Sequence, residues 1–151
     1  MAHVSSSAPV SRLNVGLGID SEHVAKLLLR VALGVLILLH GLGKLSGGID
    51  FVLGAFTKAG LPAAFGYLVF VGEILAPLLL VVGAWTRAAA IVVAINMVVA
   101  VLLVRVGQLA SLAPTGGWAV ELEACYLVMA LAVALLGAGR FSAGGADGRW
   151  N

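Results

Sequence analysis

Cysteine, histidine and charge are all scarce in this chain, and each scarcity removes a class of function. A single cysteine, Cys125, stands in an apolar run of the 151 residues. An intrachain disulfide, a CxxC redox motif and a cysteine-based metal cluster are therefore excluded within the chain. Of three histidines, His3 and His23 precede the first long apolar run, which leaves His40 alone at membrane depth. A haem held between helices takes two axial ligands, so a lone His40 argues against one. The expectation is no metal site and no intrinsic cofactor. Charged residues make up 11% of the chain, against about 25% in soluble domains. The net charge of +2 is spread thinly, so no basic patch suits nucleic acid.

What fills the space is apolar. Hydrophobic residues are 62% of the chain and the mean hydropathy is +1.13. Crossing ~30 Å of hydrocarbon takes about 20 helical residues. Four runs have that length: residues 25–45, 64–84, 88–106 and 119–138. Residues 1–24 are Ser-rich and read as a disordered N-terminal tail. They lack the charged start, short apolar core and small-residue cleavage site of a signal peptide. The domain plan is a tail over 1–24, a membrane domain over 25–142 and a second tail over 143–151.

The connections set the architecture. Only Trp85, Thr86 and Arg87 separate the second and third runs, which demands a tight hairpin. The first connection, residues 46–63, holds Phe51, Leu53 and Phe56 between Asp50 and Lys58, a pattern for a short interfacial helix. Arg12, Lys26, Arg30, Arg87, Arg140 and Arg149 fall on the side of the N-terminus, with Lys44, Lys58 and Arg105 on the other. That asymmetry places both termini in the cytoplasm, with Trp85 and Trp118 at opposite interfaces. The fold expected is all-α: an integral membrane four-helix up-down-up-down bundle with an interfacial helix in the first extracytoplasmic loop. Small residues such as Gly34, Gly41 and Gly72 supply close-packing surfaces.

Polar side chains then carry the functional argument. His40 and Lys44 lie one turn apart on the first span, so they share a helix face. Glu73 lies well inside the second span, where an ionisable group costs at least ~2.5 kcal/mol. Pro77 lacks the N–H that would bond the Glu73 carbonyl, which is thereby freed to accept from His40 or Lys44. Glu121 opens the fourth span, which also enters from the outside, and shares a face with Cys125 and Met129. Glu123, ~200° around the helix from it, falls at the headgroup level. His40, Lys44, Glu73 and Glu121 are the candidate ligand-binding or proton-relay residues. Arg30, Arg87, Arg105 and Arg140 lie near span ends, where snorkelling is expected, and read as structural or topogenic, Pro77 as a kink and Asn96 as an inter-helix hydrogen bond. Cys125 reads as a small buried hydrophobe.

The run LLLRVALGVLILLHGLGKLSG, the GLP before Glu73, and the ending ELEACYLVMALAVALLGAGRFS resemble the DoxX family of small four-helix bacterial membrane proteins. The resemblance spans residues 27–142. Its features are the R…H…K pattern of the first span and a closing GxGR-aromatic-Ser with Glu121 nineteen positions before Arg140. Departures lie at the rim: Ala138 stands for the usual Pro, Phe141 for Tyr, and Ala143-Gly144 for Leu-Asp. The resemblance implies Arg30, His40, Lys44, Glu73 and Glu121 as the family's polar positions. It also implies a setting beside quinol oxidase and other membrane oxidoreductases, without an established catalytic activity for most members.

These readings converge on a bacterial inner-membrane protein: a non-catalytic or quinone-handling subunit that supports an oxidoreductase. Its expected partners are lipid, an oxidoreductase subunit or a second copy of itself. In this reading His40 and Lys44 hydrogen-bond a quinone carbonyl and Glu73 relays a proton. The alternatives are a proton or small-solute transporter, in which His, Lys and Glu form a relay, and an assembly factor for a membrane or exported protein. Against transport, four helices leave little room and show no inverted repeat.

Overall fold

The computed structural model describes residues 20–145, 148, 150 and 151, and the described residues form helices with no β-strand. Arg12, Arg149 and most of the expected N-terminal tail lie outside them. Helix α1 spans Ser21–Gly47, α2 Asp50–Lys58, α3 Ala63–Val82, α4 Thr86–Gln108 and α5 Glu121–Leu136. Three of these, α1, α3 and α4, are long and apolar enough to cross a membrane.

Two expectations about element length need correction. Helix α1 starts at Ser21, inside the expected tail, and its first turn carries a Lys26–Glu22 ion pair of 2.7 Å at i, i+4 spacing. Helix α5 has 16 residues rather than the twenty expected of a full span over 119–138. Glycine ends it: Gly137 has φ +75° and ψ −173°, a conformation open to glycine and costly for other residues.

Packing follows the small and apolar stripes. On α1 the buried residues Arg30, Leu33, Gly34, Ile37 and Gly41 recur at helical spacing and face α3. Gly34 and Gly41 set that approach. A Cβ on Gly34 would stand 2.9 Å from the Pro77 carbonyl oxygen, and one on Gly41 would collide with the Glu73 carbonyl. Helix α4 packs on α3 and most extensively on α5, while α5 also touches α1. Leu33, Ile37, Leu80, Val93, Ala130 and Val133, all at most 2% exposed, form the centre of this core.

Neither α3 nor α4 is a regular α-helix. Helix α3 opens with a 3-10 stretch, Ala63–Leu68, then widens to a π turn over Val71–Leu75, where the Ala76 amide bonds the Val71 carbonyl. Helix α4 widens likewise over Val101–Arg105 before ending in a 3-10 turn. Such π turns interrupt the side-chain phase of a helix and occur often at functional sites.

The opposite end is tied by Arg30. Its guanidinium is 1% exposed and donates to the carbonyls of Leu80 at 2.9 Å, Val81 at 3.4 Å and Phe141 at 2.6 Å. It thus caps the C-terminus of α3, where the helix dipole favours a cation, and holds the segment after α5. Arg30 stays inside rather than snorkelling to an interface, because two carbonyls at the end of α3 and that of Phe141 receive its Nη groups; its buried Nε has no partner among the described residues. Gly83, at φ +78°, leaves the space that the guanidinium occupies. The residues after α5 run over the α3–α4 turn: Ala143 and Gly144 donate to the Val82 and Gly83 carbonyls. Asn151, 5% exposed, accepts at Oδ1 from the Thr86 amide and hydroxyl, satisfying the start of α4.

Candidate functional site

Glu73 is 4% exposed and sits within the π turn of α3. Lys44, from the far end of α1, reaches both of its carboxylate oxygens. Asn96 of α4 adds a long hydrogen bond, Nδ2 to Glu73 Oε1 at 3.4 Å. Three helices thus contribute one residue each to a polar group around a buried carboxylate. A residue without a Cβ makes room for it: on Gly72, a Cβ would stand 2.6 Å from Asn96 Cγ.

This group forms part of the wall of a cavity of about 930 Å³. The volume lies in the range that holds an organic ligand of drug size. Most of the lining is apolar: Phe51 and Phe56 from α2, Phe65 and Leu68 from α3, Val99 and Leu103 from α4. A second polar group lines the same cavity. Arg105 pairs through Nε with Glu123 Oε1 at 3.3 Å and donates from Nη1 to Gln108 Oε1 at 2.7 Å.

The structure separates His40 from Lys44. On the buried stripe of α1 centred near Ile37 and Gly41, His40 lies at the edge and turns toward α5. It is exposed and meets Tyr126 edge-on, ring centroids 5.8 Å apart at 76°, and it does not line the cavity. The freed Glu73 carbonyl is covered by Gly41 rather than by a donor from His40 or Lys44.

The two glutamates of α5 exchange places relative to expectation. Glu121 is exposed, beside Gly117, whereas Glu123 lines the cavity. The reason is the phase of α5, whose buried residues are Tyr126, Ala130 and Val133. Glu123, three residues before Tyr126, continues that face, and Glu121 does not. Cys125 is exposed rather than buried for the same reason.

The remaining polar residues tie the helices. Arg87 donates to the carbonyls of Ala134 and Asn151, both at 3.1 Å. The backbone amide of the exposed Arg140 donates to His23 Nδ1 at 3.3 Å. Pro77 is buried directly after the π turn. Sequence reasoning missed Glu123 and Gln108 as lining residues and took Arg105 for a structural or topogenic cation. The one available signal was that Arg105 ends one helix and Glu123 begins the next. No group of three or more His, Cys, Asp or Glu suited to a metal occurs among the described residues.

A helical chain of this hydropathy, with a Lys–Glu pair joining its first two long helices, narrows the comparison to membrane families. The DoxX family model matches residues 25–106. The chain belongs to the DoxX family. That match covers α1 to most of α4, and so contains Lys44, Glu73, Asn96 and Arg105, while Glu123 lies beyond it. No curated protein and no solved structure matches the chain. As a DoxX member with three apolar helices of spanning length, it is a membrane protein.

Proposed function

We propose that this DoxX protein is a membrane subunit that holds a lipid-soluble ligand, a quinone, for a partner oxidoreductase in the bacterial inner membrane. The observation that carries the reading is the cavity itself. One wall offers hydrogen-bond donors and acceptors around Glu73, and the rest is apolar and aromatic. Such a chamber suits a molecule with a polar head and a greasy body. Lys44, not His40, is the donor set to meet the head. The protein is an accessory subunit in this reading, with electron carriers on the partner.

In the membrane, α1, α3, α4 and α5 form an up-down-up-down bundle with both termini in the cytoplasm, following the Lys/Arg distribution. Helix α2 then lies at the outer interface, where its Phe51 and Phe56 close one side of the cavity. Ligand would reach the chamber from the outer leaflet.

The test is binding of decylubiquinone to the full chain in nanodiscs. Val99→Trp fills the cavity and should weaken binding at least tenfold, while Leu135→Trp, on an exposed position of α5, should leave it unchanged. Equal binding by wild type and Val99→Trp would sink the reading.

A further inference from the structure

We infer that the cavity selects an uncharged amphiphile whose head carries oxygen acceptors, and that Arg105 with Glu123 and Gln108 forms the second polar subsite that reads it. This rests on the cavity being a ligand site, as proposed above, and adds the charge and polarity of what it takes.

Charge balance within the walls is the first argument. Both cations lining the cavity, Lys44 and Arg105, carry a carboxylate of their own, Glu73 and Glu123. The other polar lining residues with amide side chains, Asn96 and Gln108, are neutral. An anionic head approaching either cation would meet the adjacent carboxylate, and a cationic head would meet the cation. Juxtaposed like charges discriminate against the wrong ligand. Neither charge type gains a free partner, so a neutral head is favoured.

The unused hydrogen-bonding capacity is the second. Lys44 has three N–H groups and Glu73 receives it at two oxygens. Arg105 uses Nε and Nη1, which leaves Nη2 for another acceptor. The amide nitrogens of Asn96 and Gln108 add further N–H donors. The free N–H groups match ligand acceptors such as carbonyl or ether oxygens, while the carboxylate and amide oxygens of the same walls keep lone pairs for a donor such as a hydroxyl. Two such subsites in one cavity fit a head with acceptors on more than one side.

Displacement of decylubiquinone from the full chain in nanodiscs tests this, using decyl phosphate and decyltrimethylammonium as equal-tailed competitors. Wild type should prefer the neutral head at least tenfold over both. Glu123→Gln leaves Arg105 uncompensated, so decyl phosphate should gain at least tenfold relative to decylubiquinone. The mirror change Arg105→Gln should shift the gain to decyltrimethylammonium, and keeps the test open if one variant folds poorly. Decyl phosphate binding to wild type as tightly as the quinone overturns the inference, as does a preference unmoved in both variants. Failure of the underlying site looks different: no decylubiquinone binding in wild type, or no loss in Val99→Trp.

Discussion

Glu73 is the residue on which the site turns, because a carboxylate 4% exposed in an apolar helix needs a partner within reach. Lys44 supplies the charge and remains partly open, with 31% of its side chain exposed. Removing one member of a buried pair strands the other, at a cost of 3–5 kcal/mol when both are fully buried. With Lys44 partly exposed, Lys44→Met should cost about 2–3 kcal/mol, read as a lowered unfolding temperature in detergent. The double change Lys44→Met with Glu73→Leu should recover most of that loss, since no unpaired charge remains. A double variant as unstable as the single would show that the pair does more than cancel charge. Gly72→Ala belongs to the same scale. Its Cβ would push into Asn96 and weaken decylubiquinone binding severalfold in the nanodisc assay, with Asn96→Ala giving a similar loss.

At the level of elements, the α1–α3 contact decides whether Lys44 reaches Glu73 at all. Gly41 lies against the Glu73 carbonyl, which the ring of Pro77 leaves without its usual amide donor. Gly41→Leu should force the helices apart and break the ion pair, with a destabilisation of about 1–3 kcal/mol from overpacking and a loss of ligand binding. Thermal unfolding and binding measured together separate this from a purely local effect. At the other end of the same pair of helices, Arg30 replaces water for the last carbonyls of α3. Arg30→Met should lower stability by about 2–4 kcal/mol, since charged hydrogen bonds contribute about 1.5–3 kcal/mol each and overlap in effect. Ligand binding per folded molecule should be unchanged, because Arg30 is remote in sequence and packing from the cavity lining. The π turns of α3 and α4 belong to this scale too. They left no mark in hydropathy or spacing, since a π turn keeps the composition of the helix around it.

For the whole molecule, orientation is the property that ties the cavity to a leaflet. In a Cys125→Ala background, Ser142→Cys should react with a membrane-impermeant maleimide only from the cytoplasmic side, and Ser46→Cys only from the outside. The reverse pattern would put the chamber against the inner leaflet and require a partner on that side. The packing order, α1 on α3, α3 on α4 and α4 on α5, brings residues 44, 73, 96, 105 and 123 to one cavity.

Composition and run length by themselves determined that this is a helical membrane protein, where its long helices fall, and that Lys44 and Glu73 are polar groups at depth. Those follow from one-dimensional facts, because hydrocarbon thickness and helical rise convert sequence length into distance. Tertiary structure alone decided which polar residues share the chamber. His40 and Lys44 differ by one turn, yet the 40° between them sends one to Tyr126 and the other to Glu73. Glu121 and Glu123 are told apart by the face that α5 presents to its neighbours, and Arg105 closes a π turn that composition does not encode. A side chain's depth is written in the chain, but its azimuth depends on how neighbouring helices pack.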